Sequence, residues 1–198
     1  MNKFIVICLL FVAVAAMGCG KSSNYRSPAW QRPYLGLATS SVTVVEYSDF
    51  QCPACKAVQP IVDEMLAKFG TQARFEYHHF PLTQIHRYAN DAAIASECAA
   101  DQNKFWEYHN RLFKEQPEFS RANLIRYASE LGLNADNFTQ CLDSSDPAAR
   151  VKVDADEAVK LQLPGTPSFL INGRPVADPS QLEALLLAAG LHASSTSN

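Results

Sequence analysis

The tetrapeptide Cys52-Pro53-Ala54-Cys55, set between a β-branched apolar run and a helical pattern, constrains this chain more than any other feature. Upstream, Val42-Thr43-Val44-Val45-Glu46-Tyr47-Ser48 is the near-continuous apolar segment that a strand buried on both faces requires. Downstream, apolar residues recur at three and four from Val58 to Phe69 and Gly70 ends the pattern, which predicts a helix over 53–69. Arg74 to Phe80 reads as a second strand closed by Pro81. Strand, helix and strand in this order open a parallel sheet.

Proline is tolerated at the first helical position, so Pro53 places Cys52 at the helix cap, facing unpaired N–H groups and the positive end of the helix dipole. Such settings lower a cysteine pKa from about 8.5 into a range of roughly 3.5–7.5. The thiolate is the nucleophile of disulfide exchange, which makes Cys52 the exposed attacking sulfur and Cys55, one turn later, the inward resolving one. Half of a zinc site has the same spacing, but a tetrahedral ion needs a second ligand pair. His78 and His79 are adjacent on a strand and point to opposite faces, and Cys98, Cys141, His86 and His109 stand at unrelated spacings. No metal and no other cofactor is assigned.

Glu46 is the one formal charge in the strand leading to Cys52. Either it reaches solvent at the strand end, or it is a buried carboxyl with a raised pKa that takes a proton from Cys55. Gly165-Thr166-Pro167-Ser168 stands at the head of a later strand, where proline is confined to edges, first residues or special turns. By itself this segment is compatible with a plain turn.

Between His86 and Leu163 the chain becomes Ala-rich and helical, with segments at 92–100, 104–114, 124–131, 138–142 and 155–163 broken by Asn103, Pro117, Gly132 and Pro147. Ser168 to Ile171 and Arg174 to Ala177 are predicted to form a hairpin through Asn172-Gly173. Asp178 caps a last helix, with Pro179 at its first position and Gln181 completing a capping box.

The ends carry different information. Met1-Asn2-Lys3 and the apolar run from Phe4 to Ala16 read as an export signal over 1–18, too short to span a bilayer. Gly18 before Cys19 resembles the lipobox of bacterial lipoproteins, with Ala16 where leucine is usual, so Cys19 is expected to be lipidated. Residues 19–41 read as a tether without periodicity, 42–191 as the folded domain with a helical insertion at about 84–163, and 192–198 as a flexible tail. A net charge of −3 without a basic run excludes a nucleic-acid partner.

Together these residues resemble the thioredoxin superfamily, and within it the DsbA-like thiol:disulfide oxidoreductases of bacterial envelopes. The resemblance covers about Val42 to Leu191 and rests on Cys52-Pro53-Ala54-Cys55-Lys56 with Pro60, on the acid Glu46 six residues before Cys52, on Thr166-Pro167, and on Phe105-Trp106. It implies an α/β thioredoxin fold with a helical domain between the second and third strands. It also implies that Cys52, Cys55 and Glu46 are catalytic, that Pro53 and Ala54 tune the potential, and that Thr166 and cis-Pro167 bind substrate. Some relatives bridge cysteines in the insertion, and an even number of leftover cysteines in an exported protein suggests the same for Cys98 and Cys141, two buried free thiols being the alternative.

The implied partners are exported proteins with cysteine thiols and a membrane redox protein, DsbB-like or DsbD-like. The implied location is the periplasmic side of a membrane, as a monomer held by the lipid. Pro-Ala lacks the histidine that the strongest oxidants of the family carry between their cysteines. An envelope reductase or isomerase is therefore the alternative, although residues 20–41 are too short for an isomerase's dimerisation domain. A thioredoxin-fold copper chaperone is a third reading.

Overall fold

The computed structural model describes residues 28–194. Its elements are β1 (Tyr34–Gly36), β2 (Thr43–Ser48), α1 (Pro53–Phe69), β3 (Arg74–His79), α2 (Ala89–Ala100), α3 (Phe105–Glu115), α4 (Arg121–Glu130), α5 (Ala135–Leu142), α6 (Asp146–Lys160), β4 (Ser168–Ile171), β5 (Arg174–Val176), a 3-10 turn (Pro179–Gln181) and α7 (Leu182–Ala188). No helix among the described residues is long and apolar enough to cross a membrane. The expected signal, Cys19, and the end of the tail from 195 lie outside the described residues.

The sheet runs β1-β3-β2-β4-β5, with β2 parallel to β3 and the other pairs antiparallel. Strand alternation divides β2 between two cores. Val44 packs with Phe75, Phe169, Val58 and Met65 beneath α1 and α7, whereas Tyr47 packs with Leu170 and Ala158 of α6. Helices thus cover both faces, and α6 serves both as the end of the insertion and as the second outer layer. Helices α2–α5 bury their own apolar cluster, which is continuous with Phe50, Cys52, Cys55 and Tyr77. The insertion therefore packs directly onto the C-x-x-C end of the sheet.

The structure corrects four expectations. The stretch read as a tether contains β1, which pairs with β3, so the helical domain lies between the third and fourth strands in chain order. Gly36 closes β1 at φ +87, where a Cβ would stand 2.3 Å from the Ala73 carbonyl oxygen. Arg32, also within that stretch, pairs with Asp154 (2.9 Å) and Glu157 (2.8 Å) of α6.

Pro147 does not break a helix but sits in the first turn of α6, which consequently begins nine residues earlier than the apolar pattern indicated. The cap Asp178 accepts from Ser180 N (2.9 Å) and starts a 3-10 turn, with α7 following at Leu182. The tail is pinned as far as Ser194, through His192 N to Gln72 Oε1 (3.0 Å) and Ser194 N to Lys68 O (2.9 Å). At the opposite edge of the sheet, Asn172 (φ 50) and Gly173 (φ 77) make the turn into β5, whose central residue is Pro175.

Candidate active site

Helix α1 begins where Pro53 can no longer extend the loop, and Cys52 occupies its cap with extended backbone (φ −75, ψ 121) and no side-chain cap. Asp49 organises the loop that delivers it. Its carbonyl accepts from Cys52 N (3.0 Å), its Oδ1 from Gln51 N (2.7 Å) and its Oδ2 from Leu82 N (2.9 Å). The same Oδ2 meets His86 Nδ1 at 2.8 Å, and Asp49 N points at the Cys55 sulfur at 3.5 Å. The insertion adds Gln116, whose Nε2 donates to Phe50 O (2.6 Å) and Cys52 O (3.0 Å).

Cys52 and Cys55 are both free thiols in this structure. Their environments drive them apart. The hydrogen bond from the Cys55 thiol, with the backbone N–H groups of Ala54 and Cys55, holds Cys52 down to about 5, whereas burial first and the Cys52 sulfur second push Cys55 far above the ordinary thiol range. Cys52, expected to be exposed, is only 6% accessible. Its sulfur lies 3.5 Å from the Thr166 carbonyl oxygen, so the loop before β4 covers it on one side, while the Gln116-bearing end of α3 holds the Cys52 backbone carbonyl.

Glu46 is buried, not at the solvent-reaching strand end, and burial pushes its carboxyl up to about 7. Gln59 of α1 donates to Oε1 at 3.1 Å and opposes that rise. Such a group exchanges a proton near neutral pH, within the same buried region as the inward sulfur.

The structure brings Cys52, Cys55, Glu46, Thr166 and Pro167 to one end of the sheet, with Pro53 and Ala54 exposed on the helix end. The Thr166–Pro167 peptide is cis. Cys98 and Cys141 are joined by a disulfide inside the insertion, between α2 and α5. His78, Asp154 and Glu157 gather their ligand atoms within 4.8 Å, but the Arg32 guanidinium is already bound to both carboxylates.

Asp49, Gln59, His86 and Gln116 were not singled out for this site by sequence. Asp49 alone had a local signal, as an Asp two residues ahead of a backbone N–H that it caps. The others reach the site across 13 to 66 positions of chain.

The family model described as Thioredoxin matches residues 30–188. Among curated proteins, the chain is 43% identical over 153 residues to Na(+)/H(+) antiporter NhaA 3 of Salinispora tropica. The match spans 77% of this chain and 23% of that protein. It is 37% identical over 155 residues to NhaA 1 of Mycolicibacterium gilvum, across 25% of that protein. The chain thus spans about a quarter of the length of these relatives.

Among solved structures, a thioredoxin-like oxidoreductase from Silicibacter pomeroyi superposes with a TM-score of 0.72 at 26% identity, covering 80% of this chain and 92% of the other. BdbD from Bacillus subtilis gives 0.71 at 24%, covering 80% and 91%. The α-DsbA2 protein of Wolbachia pipientis gives 0.70 at 21%, covering 80% and 87%. With a C-x-x-C at a helix cap, a proline loop facing it and a helical domain inserted in the sheet, the chain belongs to the thioredoxin family and has the fold of its DsbA-like thiol:disulfide oxidoreductases.

Proposed function

We propose that this chain is a thiol:disulfide interchange protein of the bacterial cell envelope that oxidises thiols of exported proteins through Cys52 and Cys55. The observation that carries this reading is the asymmetric placing of the two free thiols, with Cys52 at the cap of α1 beside the Thr166 carbonyl, where the Cys55 thiol and backbone N–H groups lower its pKa, and Cys55 wholly buried behind it. A stabilised Cys52 thiolate favours the reduced protein, and a protein whose reduced form is favoured is an oxidant toward others. Substrate thiolate attacks Cys52, Cys55 leaves and takes a proton from Glu46, and a second substrate thiol completes the exchange. The Thr166 backbone, set beside the sulfur by Pro167, pairs with the substrate strand.

Export is supported by the apolar run at 4–16 and by the Cys98–Cys141 bridge, since such bonds persist in oxidising compartments. Lipid on Cys19 holds the protein at a membrane, where a DsbB-like partner re-oxidises it. Ion transport is not carried over from the antiporter relatives, of which the match spans only 23% in the Salinispora tropica protein.

The reverse direction, a reductase or isomerase served by a DsbD-like donor, is favoured by the Pro-Ala dipeptide. Equilibration with glutathione separates the two. A reduction potential above about −200 mV supports the oxidant, and one below about −250 mV assigns the protein to the reductases, since tenfold in the equilibrium constant is about 30 mV.

A further inference from the structure

A proton that Glu46 takes from Cys55 must still leave the protein interior. A cleft of about 160 Å³ opens between α1 and α3, with Glu46, Tyr77 and His109 at its buried end and the exposed Asp63 and Asn110 at its mouth. Glu46 and Tyr77 are register partners on β2 and β3 and share one face of the sheet. The His109 ring meets the Tyr77 ring edge-on, 5.0 Å between centroids.

The Tyr77 hydroxyl and His109 Nε2, buried polar atoms of cleft-lining residues, make no hydrogen bond of good geometry among the described residues, and Ser48, whose hydroxyl is likewise unpaired, is the polar side chain that faces both Tyr77 and Glu46. The state of the histidine follows from its other nitrogen. Nδ1 lies 2.9 Å from Asn110 Oδ1, which only accepts, so Nδ1 carries the proton and Nε2 presents a lone pair. Burial holds the ring down to about 4, which keeps it neutral. Buried polar atoms left unsatisfied are costly, and a cleft of this size has room for water at the inner end where Glu46, Tyr77 and His109 interrupt its mainly apolar lining.

We propose that His109, contributed by the helical insertion, is a positioning residue for the dithiol reaction. With the Tyr77 hydroxyl it orders water in this cleft, and that water carries protons between Glu46 and solvent at Asp63. The inference rests on the thiol-exchange reading. In the resolving step the Cys55 S–H bond breaks as its sulfur bonds to Cys52. The bond from Cys52 to the partner sulfur breaks, and its electron pair leaves on the partner thiolate. The two active-site thiols are oxidised and the partner disulfide is reduced, while the Cys55 proton passes to the Glu46 carboxylate, to the cleft and out. Glu46 faces Ser48 of its own strand, Gln59 and Asp63 of α1 and Tyr77 of β3, and Ser48 and Tyr77 in turn face Cys55, whereas His109 faces Tyr77 and His79 of β3. Glu76 at the rim is bound to Arg74 and His78.

The test is stopped-flow reaction of the reduced full chain, carrying Cys8→Ser and Cys19→Ser, with the aromatic disulfide DTNB from pH 5 to 9 in H2O and D2O. Attack by Cys52 releases the first chromophore, and resolution by Cys55 releases the second. His109→Leu is expected to slow the second phase about tenfold near pH 7, a modest share of what a positioned proton-transfer group supplies. It should change the solvent isotope effect on that phase and leave the first phase within about twofold. His109→Gln, whose amide oxygen accepts in place of Nε2, should recover most of the lost rate. Equal slowing of both phases, or an unchanged second phase, overturns the proposal. Where His109→Leu fails to fold, Tyr77→Phe decides, a slower second phase supporting and an unchanged one rejecting it. A wild-type protein without any second phase overturns the thiol-exchange reading itself.

Discussion

The Gln116 side-chain amide, at the end of α3, binds the carbonyl of Cys52 at 3.0 Å and that of Phe50 at 2.6 Å. The helical insertion is thereby fastened to the loop that carries Cys52. Removing the amide leaves two carbonyls of a largely buried loop without this donor. Gln116→Ala should cost about 1–2 kcal/mol, read as a Tm decrease of roughly 2–8 °C. It should also raise the midpoint of Cys52 alkylation against pH, because the loop no longer holds the cap in place. An unchanged midpoint would mean that the loop is positioned by Asp49 alone.

The division of labour between the sulfurs predicts which variants trap partners. Cys55→Ala should accumulate mixed disulfides with envelope proteins on non-reducing gels, and Cys52→Ala should accumulate none. Pro167→Thr should also trap complexes, with the Tm little changed, because it alters the loop that meets the substrate strand and not the core. Equal trapping by the two cysteine variants would reverse the assignment.

Glu46 sets a pH dependence whose sign follows from its raised pKa. Between about 4.3, the free value, and about 7 the folded reduced protein binds more protons at this site than the unfolded chain, so this group makes stability fall as pH rises. Cys52 acts in the opposite sense. Its pKa of about 5 lies below the free value near 8.5, so its contribution is present above 8.5 and is lost as pH falls through 5. Comparing Glu46→Gln with wild type isolates the first effect. The variant should be equal in stability at pH 4 and more stable at pH 8, by on the order of 3 kcal/mol, in urea unfolding of the reduced proteins. A gain that does not grow with pH would show that Glu46 is not charged where it is buried.

The bridge between Cys98 and Cys141 ties α2 to α5 across a sequence separation of 43. Closing a loop of that length is worth about 4 kcal/mol in the chain-entropy account. A Cys52→Ala/Cys55→Ala chain beginning at Pro28, unfolded without reductant, should show no free thiols. Two free thiols would leave the pair as buried hydrophobes.

What was legible in the sequence was local. Cys52 and Cys55 announce themselves because a cysteine pair followed by proline and an apolar repeat encodes both a helix start and a thiolate site within four residues. Glu46 stood out as a charge in an apolar strand, but the same pattern was compatible with a solvent-facing strand end, and only packing under α1 removes that possibility. β1 escaped because three residues carry no period, and its stability comes from β3 and from the Arg74 guanidinium stacked 4.0 Å over Tyr34. Pro147 misled because a breaker in mid-helix is a starter in the first turn. Gln116 and His109 had no signal at all, since their roles exist only after the insertion has docked.

Pro175 in the middle of β5 has a consequence for the proposed exchange with unfolded proteins. An outermost strand is a template on which another chain can grow, and proline offers no N–H to it. At the other margin β1 is three residues long and follows Pro33, whose carbonyl is already used by Tyr77 N at 3.1 Å. An incoming polypeptide thus finds both flanks of the sheet poor seeds for aggregation, which on the proposed function leaves its pairing to the Thr166 backbone beside the Cys52 sulfur.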